Sequence, residues 1–288
     1  MVYGNLALRP FRDLDILVRE RDVAGAKALL LAQGYRLPLT ATQEVRYRRC
    51  KHALPLVRMD RQVTIDLHWR LARPAFPSPL ASAHLWDRLH PGSLLGTPVW
   101  RLPPEELLLL LVVHGTRHGW SRLGWLCDIA ELLWASPGLE WQRVMDQACR
   151  RGGARMLGLS LHLAHQLLGA TLPEDCRRRI QADPVIPTLA AQVRARLFTA
   201  PSGGHDVLAG LAFFLRVRER RRDRIPMLWH GLGVLRHAAL APSSAHQWAA
   251  HSQPLWRAWR HTLRRCLRLV RVYGLRPVTT MLGHLLGA

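Results

Sequence analysis

The sequence predicts an α+β protein, with a small mixed β-sheet core over residues 1–75 followed by a mostly α-helical region over 76–288. Three observations carry this expectation. Apolar residues alternate along 12–18, 54–59 and 63–69, the two-residue period of a strand. One Ala/Leu-rich segment, 23–33, breaks the alternation with helical composition. The stretch from Pro74 to Pro79 holds three prolines, reads as a linker, and precedes a remainder in which nearly every signal is helical.

The first strand is Arg12 to Val18. Leu14, Ile16 and Val18 alternate as the buried face, which leaves Asp13 and Asp15 together on the other. Two adjacent carboxylates repel each other, and a divalent cation is the usual reason for such a pair, because hard Mg²⁺ takes carboxylate oxygens together with substrate phosphates. The pair therefore suggests phosphoryl or nucleotidyl transfer; the other reading is a strand end whose acids are simply solvated. Asp22 is placed to cap a helix over 23–33, which Gly34 stops. Leu54 to Met59 and Val63 to Trp69 are paired as a hairpin through Asp60-Arg61-Gln62. In its second strand, Val63, Ile65 and Leu67 share one face, and Thr64, Asp66 and His68 the other. If the hairpin lies beside 12–18, Asp66 completes a cluster of three carboxylates able to hold metal. His68 shares the face of Asp66, where it can contact substrate, act as a base or orient Asp66 by a hydrogen bond. Trp69 points away, into the core, and His52 can face the cleft. Arg9 and Arg12 flank the acids, and an Arg fork matches phosphate oxygens; the other reading of Arg12 is that it only balances negative charge.

Beyond the linker, Pro103-Pro104 followed by Glu105-Glu106 opens a helix to 118, with proline and acid in the order that a helix start favours. Further helices are expected at 122–135, 139–151, 154–169, 187–198, 206–220 and 255–272, broken by Gly152-Gly153 and by Pro201 to Gly204. His114 and His118 fall on one face of the 104–118 helix. A zinc site there would recruit Cys127 or Asp128, but no Glu follows His114 and a spaced His pair is a weak motif. The preferred reading sets this helix over the cleft, with His118 or Arg122 touching substrate or phosphate. Trp120, Trp125 and Trp134 read as packing.

Several of these residues form a larger pattern. Tyr3-Gly4, Arg9, Asp13, Asp15, Leu17 and Val18 make one motif; Asp66, His68 and Trp69 make a second; His114-Gly115, His118, Trp120, Arg122-Leu123, Trp125-Leu126 and Asp128 make a third. Together they resemble the nucleotidyltransferase superfamily of the DNA polymerase β type. Within it they resemble the uncharacterised nucleotidyltransferase family of bacterial biosynthetic gene clusters. The resemblance is strong over residues 3 to about 135 and weak at Arg221-Arg222-Asp223-Arg224. It implies Mg²⁺ (or Mn²⁺) held by Asp13, Asp15 and Asp66, with Asp66 also assisting deprotonation of the acceptor. It implies transfer of a nucleoside monophosphate from an NTP to a small molecule, peptide or protein. It also implies a Gly-containing helix start upstream of Asp13 that cradles phosphate. Gly4-Asn5 is too close to Asp13 to serve, so the expected segment would lie before Met1. Either the start lies further upstream or the copy is degenerate, and a degenerate copy would act as a binding partner for a pathway protein or peptide.

Composition narrows the alternatives. Net charge is +21, and Lys27 and Lys51 are the only lysines among 41 basic residues, a bias that codon usage in a GC-rich genome explains in part. Residues 201–288 carry fourteen Arg against Asp206, Glu219 and Asp223. A third reading, a basic nucleic-acid-binding protein, rests on this charge. Few aromatics interleave the Arg run and no nucleic-acid motif appears, so nucleic acid is the less favoured partner. Five scattered cysteines without a CxxC pair argue against a disulfide framework or a Cys-rich zinc module. With no signal peptide and no apolar run long enough to span a bilayer, the expected location is cytoplasmic.

Overall fold

The computed structural model describes residues 3–5, 8–9, 11, 13–60, 63–71, 85–198 and 207–225. The architecture is α+β, as the patterning predicts. β1 (Asp13–Leu17), β2 (Ala53–Arg58) and β3 (Val63–His68) form a mixed sheet in the order β1-β3-β2. β2 and β3 pair antiparallel as the expected hairpin, while β1 lies parallel to β3 on its other side. Between β1 and β2 run α1 (Val23–Ala32) and α2 (Ala41–Cys50). Gly34, at φ +85°, ends α1 in the conformation that favours glycine. Asp22 stands at the N-cap of α1, but its side chain makes no capping bond. Neither the periodicity nor the breakers announce α2. Its signal is a capping box, in which Thr40 Oγ1 accepts from the Gln43 backbone and the Gln43 side chain returns to the Thr40 backbone.

A small core of Val23, Leu54, Leu56, Leu67 and Trp69 joins sheet and helices. Trp69 is thus an interior residue, as its strand parity requires. β1 is not the buried strand that its alternation suggests. It is the sheet's edge, and Leu14 and Ile16 remain 43% and 39% exposed.

The helical region has a second, larger core. α3 (Pro104–Arg117), α4 (Leu123–Ala135), α5 (Trp141–Arg150), α7 (Glu174–Gln181) and α8 (Val185–Phe198) all pack on α6 (Ala154–Leu168). α9 (Val207–Val217) packs on α8. The α6 sequence is apolar nearly all round, as burial from every side demands. Gly152 and Gly169, both at positive φ, mark its two ends. Glu105 and Glu106 do more than complement a helix dipole, for both are buried. Glu105 accepts from the Glu140 backbone, and Glu106 pairs with Arg88 and Arg143 at 3.2 and 3.1 Å. Trp120 is fully buried, whereas Trp134 is 51% exposed and does not serve as packing.

A hairpin of β4 (His90–Leu94) and β5 (Thr97–Arg101) stands between the two parts, where only helix was expected. Its two turn residues, Leu95 (φ 51°) and Gly96 (φ 83°), both take positive φ, and Leu-Gly is not a turn signal that sequence patterns favour. The proline-rich linker, the break at 201–204 and the 255–272 helix lie outside the described residues. Among those described, no helix is long and apolar enough to cross a membrane.

Candidate active site

Parallel pairing of β1 with β3 sets Asp15 opposite Asp66, and Asp13 opposite Thr64. Residues in register on neighbouring strands project to the same side of a sheet, so the three acids share one face. His68 follows on that face, and its Nε2 donates to Asp15 Oδ1 at 2.7 Å. The imidazole therefore reaches across to the acid of β1 rather than orienting Asp66 on its own strand. Ligand atoms of Asp15, Asp66 and His68 all lie within 4.8 Å of one another. Bonds of roughly 2.0–2.1 Å to one Mg²⁺ put neighbouring donors about 3 Å apart, so these side chains would close in slightly to share a single cation. Asp13 falls outside that group but is near enough for its charge to act on Asp66.

The two central acids are held in different states. The hydrogen bond from His68 lowers the Asp15 carboxyl below the ordinary value, despite partial burial, and the charges of His114 and Arg117 act in the same direction. Burial raises the Asp66 carboxyl; His68 and Arg117 work against that rise, and Asp15 and Asp13 add to it. A half-buried acid with two like charges beside it is the environment that a cation relieves.

The C-terminal turn of α3 faces these acids. His114 is largely buried, which lowers its imidazole below the ordinary value, with Arg117 adding to the shift. Arg117 Nη1 donates to His52 Nε2 at 2.8 Å, and Nη2 to His118 Nε2 at 3.1 Å. The His52 ring meets His68 edge-on at 5.1 Å. The exposed His118 also packs against His114 and Trp125, and Arg122, at the N-cap of α4, stands 5.6 Å over the Trp125 ring. His118 and Arg122, two of the residues expected to meet phosphate, thus belong to one aromatic and basic ledge. Among the described residues, the group whose ligand atoms converge is that of Asp15, Asp66 and His68, and it includes neither His114 nor His118.

The ledge is fixed by a turn that explains the His-Gly spacing. After α3 the chain takes positive φ at Gly119 (60°) and Trp120 (55°) and folds the indole back over Gly115. A Cβ on Gly115 would lie 2.2 Å from the Trp120 ring, so only glycine fits there.

Arg9 is committed elsewhere. Its Nε and Nη2 donate to the buried Asp128 of α4 at 2.8 and 2.7 Å, and Tyr3 Oη donates to the same carboxylate at 2.7 Å. That triple contact ties the segment before β1 to the helical region. The resemblance names all three residues without indicating that they meet. Arg12 lies outside the described residues. Arg117 is the residue that motif reasoning passed over: it stands between His114 and His118, and only the fold turns it toward the acids.

No curated protein and no solved structure matches the chain. The acids in register, the His-Gly turn and the Tyr3–Arg9–Asp128 tether all lie within residues 1–169, the span matched by the family described as uncharacterised nucleotidyltransferase. That span is more than half of the 288 residues, and the chain belongs to this family.

Proposed function

We propose that the protein is a Mg²⁺- or Mn²⁺-dependent nucleotidyltransferase that moves a nucleoside monophosphate from an NTP to a small molecule, peptide or protein. The observation that carries this reading is the meeting of Asp15, Asp66 and His68 on one sheet face, with ligand atoms within 4.8 Å. In this reading Asp15 and Asp66 hold the cation, with Asp13 beside them. When bound, such a cation polarises a phosphoryl oxygen and makes an attacking oxygen more acidic. The two carboxylates suit Mg²⁺ and Mn²⁺ alike, and His68, whose Nε2 donates to Asp15, orients that acid. Asp66 is the proton acceptor for the incoming nucleophile, since burial strengthens it as a base. In this reading His118 and Arg122 meet the phosphates of the donor. The division at about residue 75 follows: the α/β part supplies acids, and the helical part supplies the basic wall. NTP is a cytoplasmic metabolite, which agrees with a cytoplasmic site of action.

The test is pyrophosphate release from each of the four common NTPs, with Mg²⁺ or Mn²⁺, by the wild-type chain and by Asp15→Asn and Asp66→Asn. Turnover should require the cation and fall on the order of a thousandfold in Asp66→Asn. Titration of Mn²⁺ followed by electron paramagnetic resonance supplies a readout independent of any acceptor, and both variants should bind the ion more weakly. Release that survives both substitutions would overturn the assignment.

A further inference from the structure

Arg117 sits in the last turn of α3, where the helix dipole favours a cation. A guanidinium only donates hydrogen bonds, so the Nε2 atoms of His52 and His118 that meet it must both be lone-pair acceptors. Both rings are therefore neutral in this arrangement. They orient the planar fork without contributing a countercharge, unlike the carboxylate that holds Arg9. From His52 the contacts continue to His68 at 5.1 Å and on to Asp15 at 2.7 Å. The charge of Arg117 reaches both central acids: it adds to the lowering of the Asp15 carboxyl and works against the burial that raises Asp66. An oriented cationic fork thus lies within reach of the charge of a carboxylate pair, joined to it through His52 and His68. That is the polarity required by a ligand with a metal-bound head and a second anionic group.

We propose that Arg117, aimed by His52 and His118, forms an anion subsite that receives a phosphate group of the donor nucleotide. Naming the ligand rests on the nucleotidyl-transfer reading; the subsite itself is tested without metal or turnover. Arg117 is the binding group, and His52 and His118 are positioning residues.

The experiment is calorimetric titration of the full chain with inorganic pyrophosphate in chelator-treated buffer at low salt. Arg117→Gln should weaken binding at least about tenfold, the scale of losing hydrogen bonds to a charged group. His118→Ala keeps the guanidinium but removes one of its holders, and should give a smaller loss. Arg222→Gln, which alters an exposed arginine, should change nothing. A second measurement needs no variant: pyrophosphate should slow phenylglyoxal modification of Arg117 in the wild-type chain, and leave Arg222 unaffected, as read by peptide mass mapping. Equal binding by wild type and Arg117→Gln, no binding by wild type, an equal loss in Arg222→Gln, or no protection of Arg117 would each overturn the proposal. Failure of the nucleotidyl-transfer reading looks different: metal-free pyrophosphate binding would persist and depend on Arg117, while no NTP is turned over.

Discussion

The two parts of the molecule bury apolar surface very differently. The sheet region rests on Val23, Leu54, Leu56, Leu67 and Trp69, and leaves one apolar face of β1 and much of α1 in solvent, with Leu29 71% exposed. The helical region surrounds α6 with a continuous core that runs from Leu108 to Val217. Hydrophobic stabilisation scales with buried area, so the helical part is the scaffold and the acid-bearing part is docked to it. The acids stand on the weaker part and the basic ledge on the stronger one. Among the described residues, the Tyr3–Arg9–Asp128 tether and the Arg117–His52 bond join the two parts, and Leu71 packs against the helical core.

The largest effect is expected where the scaffold itself is broken. Gly115→Ala places a methyl 2.2 Å from a fully buried Trp120 whose backbone is already at positive φ, so neither side yields cheaply. A loss of about 3 kcal/mol is expected, measured by urea denaturation followed by circular dichroism. A change within a few tenths would show that the ledge is not held by this contact.

A smaller effect should fall on one part alone. Asp128→Asn keeps the shape of the side chain but removes the charge that Arg9 and Tyr3 grip. Native-state hydrogen exchange should show sheet amides opening more easily by about 1–3 kcal/mol, with α6 amides unchanged. Equal loosening of both would erase the proposed difference between scaffold and docked part.

The smallest effects concern pH in metal-free protein. Asp15 has a lowered carboxyl, so it contributes stability above the ordinary carboxylate range and loses it as pH falls through its lower folded value. Asp66 is raised, so its charged form costs stability at neutral pH, and that cost is relieved as pH falls through its folded value. At pH 7, then, Asp15→Asn should melt below wild type and Asp66→Asn at or above it. Both differences should fade at acid pH, that of Asp66 first. The largely buried His114, lowered and facing the same acids, destabilises all three proteins as pH drops below about 6.5, and most in Asp15→Asn, which lacks the carboxylate that holds the imidazole up. Thermal melts of the three proteins from neutral to acid pH provide the check. The same sign for both variants would contradict the opposed environments.

What the sequence announced was local. Alternation in 13–17 and 63–68 placed Asp13, Asp15, Asp66 and His68 on the correct faces, because a strand's period of two is fixed by its backbone. Helices α3, α4, α5, α6 and α8 were legible from apolar periodicity and from their proline and glycine boundaries. The short polar α2 and α7 carry too little periodic apolar surface to stand out, and the Thr40–Gln43 capping box was the available clue to α2. Apolar alternation in β1 could not tell an edge strand from a buried one, since strand order depends on which neighbours pack.

The sequence by itself determined the fold class, the faces of the strands and the family, because these depend on spacing along the chain and on residue types. Only the tertiary structure decided that His68 bonds Asp15, that Arg9 is taken by Asp128, and that Arg117 lies between two imidazoles facing the acids. Each of these joins groups at least 50 residues apart or turns a side chain by packing, as Trp120 does over Gly115. A donor chooses its acceptor only after the core has fixed where both can reach, so such choices are written in no local pattern.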